Sequence, residues 1–339
     1  MERSAAEDFC ILIQVAEQET NAQYHADTTK LSNSMLSILK RSPKLFFRYY
    51  IAQSLAIPES TESMNPGSMV HTMVLEPDEF ENRYAKPIQG LDRVRVAGKA
   101  AWDCFEKKAN IDDLYIIKRE INRKSNQGKA DWEAFVVEAD GRSMLAEDDF
   151  NTAAGYLSEL NANLGKVFVK RDDILLAANC CEALHQHSEF SEIMEGTWLD
   201  RITEQRIDFA IEGIEMRCKP DYLALNASAI IDVKTTIDAN PEEFAKSMIK
   251  YGYHRQAWLY REAVFQKYGV HCRFLFAVVS TEEPHEVCIC EPSEAVMEAG
   301  RREVFTLLSE FKFRAESGDW ISEWSKGIVP LDLPNWYRG

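Results

Sequence analysis

Arg217-Cys218-Lys219-Pro220-Asp221, ten intervening residues, then Asp232-Val233-Lys234-Thr235-Thr236 is the stretch from which the rest of the chain can be read. Ile230-Ile231-Asp232-Val233-Lys234 is an apolar strand pattern carrying two charges. Alternate side chains of a strand share a face, so Asp232 and Lys234 point one way and Ile231 and Val233 the other. A carboxylate and an ammonium in such a strand are expensive to bury without partners. A cleft holding a divalent cation would account for that cost. A turn around Asn226 returns the next strand beside Asp221, so Asp221 and Asp232 can converge. Two hard carboxylates at close range repel unless a hard cation lies between them, and Mg²⁺ suits such a site together with phosphate and water. Lys234 would then orient or deprotonate an attacking water and offset charge on a phosphorane. The plainer reading is an Asp–Lys pair on an exposed strand, because DxK is common by chance. Pro220-Asp221, the spacing and the flanking apolar residues favour the site.

Around this stretch the chain is mixed α/β. RITEQRIDFAI (201–211), IEMRCKPDYLAL (214–225) and AIIDVKTT (229–236) read as strands. Pro241 opens a helical stretch to about Tyr268, CRFLFAVVS (272–280) and HEVCICE (285–291) are further strands, and 292–316 is helical. Gln256 and Tyr260, at i and i+4 of the predicted helix, share one face. The preceding half is α-rich. Residues 1–23 form an acidic extension able to make a short amphipathic helix. In 31–50, Ser32 or Ser34 can cap a helix carrying Met35, Leu36, Ile38 and Leu39. PGSMVHTMVLEPDEFE (66–81) reads as a helix with Met69, Met73 and Phe80 near one face, ended or kinked at Pro77. Residues 146–188 read as two helices. The expected division is thus a helical region, 24–195, and a strand-rich core, 196–339, together forming one compact domain.

Gly98-Lys99-Ala100-Ala101-Trp102 recurs as Gly128-Lys129-Ala130-Asp131-Trp132 at an offset of thirty residues, inside the repeated blocks 98–105 and 128–135. Two copies are too few for a solenoid and suggest one duplicated helical unit. KREINRKSNQGK (118–129), before the second copy, is the most basic short stretch; it is either a solvated loop or an arm in which Arg123, Lys124 and Lys129 contact phosphate.

The 339 residues, 45% hydrophobic and 28% charged, have a globular composition. No segment is long and apolar enough to span a membrane, and the N-terminus lacks a basic region before its apolar run; both point to a cytoplasmic protein. None of the eight cysteines forms a CxxC pair, which argues against zinc ribbons and thioredoxin-like chemistry. The net charge of −16 excludes a surface basic throughout, though not a local basic channel.

The central stretch matches the PD-(D/E)xK pattern, and Gln256-Ala257-Trp258-Leu259-Tyr260 resembles the QxxxY motif of RecB-type nucleases. His71, on its own as readily a packing residue as a ligand, resembles the histidine that precedes that core. The chain is most similar to the nuclease domain of the RecE (exonuclease VIII) family. The resemblance runs from Tyr24-His25 and LSNSMLSILKRSP through GSMVHTMVLEPDEF, RCKPDYLAL, IIDVKTT and YGYHRQAWLY to Leu333-Pro334-Asn335-Trp336. It implies a restriction-endonuclease-like fold and Mg²⁺-dependent, 5′→3′ degradation of linear duplex DNA from its ends, with Mn²⁺ able to substitute. It further implies His71, Asp221, Asp232 and the Val233 carbonyl as metal ligands, Glu204 beside them, Lys234 as the catalytic lysine, and Gln256 and Tyr260 lining the site. A toroidal homotetramer, a single-strand annealing partner of RecT type and a role in phage recombination complete the expectation. An endonucleolytic relative, or an inactive DNA-binding module on the same fold, are the competing readings. The duplicated unit, and Lys219 where the family commonly has arginine, depart from the pattern.

Overall fold

The computed structural model describes residues 21–58, 66–91, 96–106, 108, 114–117, 143–197 and 201–333. Residues 1–20, the second repeat copy, Arg123, Lys124, Lys129 and Pro334-Asn335-Trp336 lie outside those residues. The chain forms two compact units, Met1–Pro77 with Leu176–Gly339, and Asp78–Leu175.

The first unit is built on a five-stranded mixed sheet. Its strands are β1 (Arg201–Thr203), β4 (Tyr222–Ala224), β5 (Ala229–Thr236), β6 (Arg273–Ser280) and β7 (Val287–Cys290), in the order β7-β6-β5-β4-β1. β2 (Ile207–Ile211) and β3 (Ile214–Cys218) make a separate antiparallel ribbon. Its two-residue turn, Glu212-Gly213, has φ values of 49° and 77°, as a type I′ hairpin requires. IDFAI alternates buried and exposed, the mark of a strand with one covered face.

β5 and β6 pair in parallel along eight residues, from Ala229 opposite Arg273 to Thr236 opposite Ser280. Parallel neighbours need a crossover, and the chain between them supplies two helices, Pro241–Tyr251 and Tyr253–Tyr268. The sequence suggested one uninterrupted helical stretch here. Gly252 breaks it, adopting a left-handed φ of 74° where an added Cβ would collide with the Arg255 guanidinium. Phe274–Ser280 and Ala229–Val233 are wholly buried, consistent with strands covered on both faces.

Helix Asn33–Arg41 is capped by Ser32, whose hydroxyl accepts from the Met35 N–H at 3.4 Å, and buries Met35, Leu36 and Leu39. Helix Pro66–Leu75 stops before Pro77, where a single 3₁₀ turn follows. Phe80 therefore belongs to a separate short helix and Met73 is only partly buried; Met69, Val70, Val74 and Leu75 form the covered face instead. The long helix Glu294–Ser317 closes the core with Met297, Val304, Leu307 and Leu308.

In the second unit, helices Val96–Glu106 and Glu147–Ala162 enclose a cluster of Ala97, Ala100, Ala101, Cys104, Ala153, Leu157 and Leu160. The first repeat copy lies in the former helix, with Trp102 edge-on to Phe168 at 6.0 Å. Helix Arg171–Gln186 follows Glu147–Ala162, so residues 146–188 hold the two helices that the sequence suggests, and a further helix, Ser188–Thr197, begins where that stretch ends.

Candidate active site

Strand periodicity puts Asp232 and Lys234 on one face of β5, and their carboxylate and ammonium form an ion pair. Asp232 is wholly buried. Gln256, in the first turn of helix Tyr253–Tyr268, donates from Nε2 to Asp232 Oδ1 at 2.6 Å. Asp221 stands between β3 and β4 and accepts the Val233 N–H on Oδ2 at 2.9 Å. The strand that carries Asp232 thereby fixes the second carboxylate as well.

His71 comes from helix Pro66–Leu75. Its Nε2 lies 2.7 Å from the Val233 carbonyl, and its Nδ1 lies 3.4 Å from Asp221 Oδ2. A carbonyl only accepts, so Nε2 donates to Val233, and Nδ1 is the ring nitrogen that faces Asp221. Glu204 follows β1 with φ of 51°, and its N–H is shared by the carbonyls of Pro220 at 3.1 Å and Asp221 at 3.3 Å. Its carboxylate pairs with Lys219 Nζ at 2.8 Å.

Electrostatics set this cluster apart. Burial, then the Asp232 charge, pushes the Asp221 carboxyl up to about 7, against the opposing pull of His71 and Lys234. Burial favours a neutral Lys234, but Asp232 and Asp221 overcome it and raise the amine, so Lys234 is an ammonium. That charge state suits orienting and charge-offsetting work better than proton abstraction. Burial also raises the Tyr260 phenol well above its ordinary value, with Tyr24, Cys218, Asp232 and Asp221 adding to the effect; its ring meets Phe274 edge-on at 6.2 Å.

The donor set fits a divalent cation. His71, Glu204 and Asp221 bring ligand atoms within 4.8 Å of one another. Carboxylate oxygens suit hard ions and an imidazole nitrogen suits softer ones, so the mixed set admits a range of divalent cations, and a cation would relieve the repulsion between Asp221 and Asp232.

Two participants escaped the sequence reading. Lys219 was noted only as a departure from a pattern, although its placement before Pro220-Asp221 marked it as a neighbour of the site. Tyr253 presents its ring face to Lys234 Nζ, 4.8 Å from the centroid. Its position three residues before Gln256, on the same helix face, was the available signal.

A mixed sheet with a helical crossover, an acid and a lysine on its central strand and a second acid just before the neighbouring strand define the PD-(D/E)xK class of fold. A family model described as "PDDEXK-like domain of unknown function" (DUF3799) matches residues 32–319, and the chain belongs to that family. A crystal structure from Eubacterium rectale, described as "Putative exonuclease", superposes with a TM-score of 0.50 at 12% identity, covering 94% of this chain and 97% of that one. That likeness shows the fold alone. A second crystal structure, of SSO0001, has a TM-score of 0.25 at 10% identity, over 63% of this chain and 88% of the other, too weak to bear on the fold. Comparison with curated proteins gave no match. Among the described residues, no helix is long and apolar enough to cross a membrane.

Proposed function

We propose that this protein is a Mg²⁺-dependent exodeoxyribonuclease that degrades linear double-stranded DNA from its ends. One observation carries the reading: strand β5 joins two groups of contacts, His71 and Asp221 on Val233, and Lys234 and Gln256 on the adjacent Asp232. His71, Asp221, Asp232 and the Val233 carbonyl would hold the cation, with Glu204 alongside. When bound, the metal supplies Lewis-acid polarisation of the phosphate and activation of a water.

The chain's own groups do the rest. Lys234, held as an ammonium by Asp232, orients the nucleophilic water and offsets phosphorane charge. Gln256 fixes the Asp232 rotamer. Tyr260 borders the pocket near the scissile phosphate. Arg123, Lys124 and Lys129 contact the DNA backbone. The exonuclease description of the Eubacterium rectale structure and the RecE resemblance favour attack at ends, with 5′→3′ polarity, over internal cleavage. On the same resemblance the enzyme works in a bacterial cytoplasm as a toroidal tetramer, making 3′ single strands for a RecT-type annealing partner in phage recombination.

The test offers linear and covalently closed circular duplexes with Mg²⁺. Loss of the linear form alone is expected. Equal cutting of the circle makes the protein an endonuclease, and inertness toward both leaves a DNA-binding module.

A further inference from the structure

Lys219 is an ammonium placed where its desolvation needs a reason. Its side chain is 10% exposed, and its Glu204 partner 20%. Lysine on a protein surface ordinarily keeps its charged end in water. Here the residue immediately precedes Pro220-Asp221, and Nζ sits 2.8 Å from Glu204 Oε2. Glu204 is itself tied in place, on a left-handed φ of 51°, by its N–H contacts to Pro220 and Asp221. Side chain and backbone thus fix this carboxylate to the same turn that carries Asp221.

The charge balance of the pocket gives the placement a meaning. Lys219 is paired with Glu204 and Lys234 with Asp232, so two ammonium groups already stand among the carboxylates of this site. One divalent ion is compensated by the remaining carboxylate charge and by the phosphodiester it binds. A second ion would add two more positive charges beside both ammonium groups, and buried uncompensated charge is strongly unfavourable. In two-metal phosphodiesterases the ions lie about 3.5–4 Å apart, clamping attacking and leaving oxygens. Glu204 offers one ligand atom within 4.8 Å of those of His71 and Asp221, and Lys219 already binds its Oε2, so a second ion bridged by this carboxylate would meet an ammonium.

We propose that Lys219 takes the place of a second divalent cation on Glu204 and thereby holds the site to one metal ion. The inference rests on the reading of this pocket as a metal-dependent phosphodiesterase centre. Lys219 supplies positive charge that is fixed by the fold, so the site needs only one ion captured from solution.

The experiment counts Mn²⁺ bound to the metal-free full chain by calorimetry, with electron paramagnetic resonance of free Mn²⁺ as an independent count. One ion per native chain is expected, two per Lys219→Gln chain, and one per Lys219→Arg chain, which keeps the charge. Two ions on the native protein, a second ion on Lys219→Arg, or a folded Lys219→Gln that still binds one, each overturns the proposal. If Lys219→Gln does not fold, the native and Lys219→Arg counts decide. Absence of any Mn²⁺ on the native protein would defeat the underlying reading of the pocket, whereas an unchanged count of one in folded Lys219→Gln defeats only the role of Lys219.

Discussion

Two ionic clusters lie in the same unit and behave in opposite ways. In one, Glu303 of the long C-terminal helix receives Lys40 at 2.7 Å, His254 at 2.9 Å and the guanidinium of Arg255. Arg255 is 2% exposed and also reaches Asn33 and Ser37. Burial alone would raise the Glu303 carboxyl, but Lys40 and His254 hydrogen bonds and the Arg255 charge pull it down to about 2. In the other, burial and Asp232 push Asp221 up to about 7. Cations outnumber the acid in the first cluster, and acids outnumber the cations in the second. The first ties three helices together at the level of Gly252 and Gly300, and an added Cβ at Gly300 would strike the His254 carbonyl. The second keeps a surplus of negative charge, which costs stability and suits a cation. Functional sites are where such opposed pKa shifts concentrate.

The largest expected effect separates them by activity. His71→Ala should lower DNA hydrolysis roughly 10³-fold or more, because residues that act as a unit fail together. Glu303→Gln, assayed at a temperature where it stays folded, should retain most of it. Comparable losses in both variants would erase the distinction.

Stability should invert the order. Glu303→Gln leaves the buried Arg255 guanidinium with only its neutral partners, Asn33 and Ser37, and should cost about 1–2 kcal/mol in chemical denaturation. Asp221→Asn removes one of two repelling carboxylates and should stabilise the metal-free protein by about 1 kcal/mol or more. A destabilised Asp221→Asn would show that the pocket stores no charge strain. Divalent metal should raise the native melting temperature, by the amount that binding to the folded state dictates, and should leave Asp221→Asn almost unmoved.

Acid titration sharpens the contrast further. The Glu303 carboxyl is depressed from 4.5 to about 2 in the folded protein. Its contribution is therefore present above the unfolded value and lost as pH falls toward 2. Denaturation followed between pH 5 and pH 2 should show the native advantage over Glu303→Gln shrinking steadily; a gap that stays constant contradicts the assignment. The smallest effect belongs to Gln256→Ala, which frees the Asp232 rotamer and should reduce turnover about tenfold with little change in melting temperature.

What the sequence disclosed followed the range of the interactions. Strand periodicity over five residues placed Asp232 and Lys234 on one face, and the i, i+4 rule placed Gln256 and Tyr260, because both patterns are local. His71 was ambiguous from its own surroundings, since only the fold brings helix Pro66–Leu75 to Val233. The Glu303 cluster was invisible: Lys40, Arg255 and Glu303 are far apart in sequence, and each reads as a surface charge on an amphipathic helix. Gly252 gave no local sign of the helix break: its left-handed φ ends one helix, and the Arg255 guanidinium fills the space that a Cβ would need. The unit Asp78–Leu175 could not be delimited by a linear reading, because the chain leaves the other unit and returns to it.

The central claim is that the carboxylates beside Lys234 form a metal-dependent hydrolytic centre. Its most direct test is release of acid-soluble nucleotides from linear duplex DNA, measured for the native chain and Asp232→Ala, each with Mg²⁺ and with EDTA. The account predicts release only by the native chain with Mg²⁺. Undiminished release by Asp232→Ala, or by the native chain in EDTA, would contradict it.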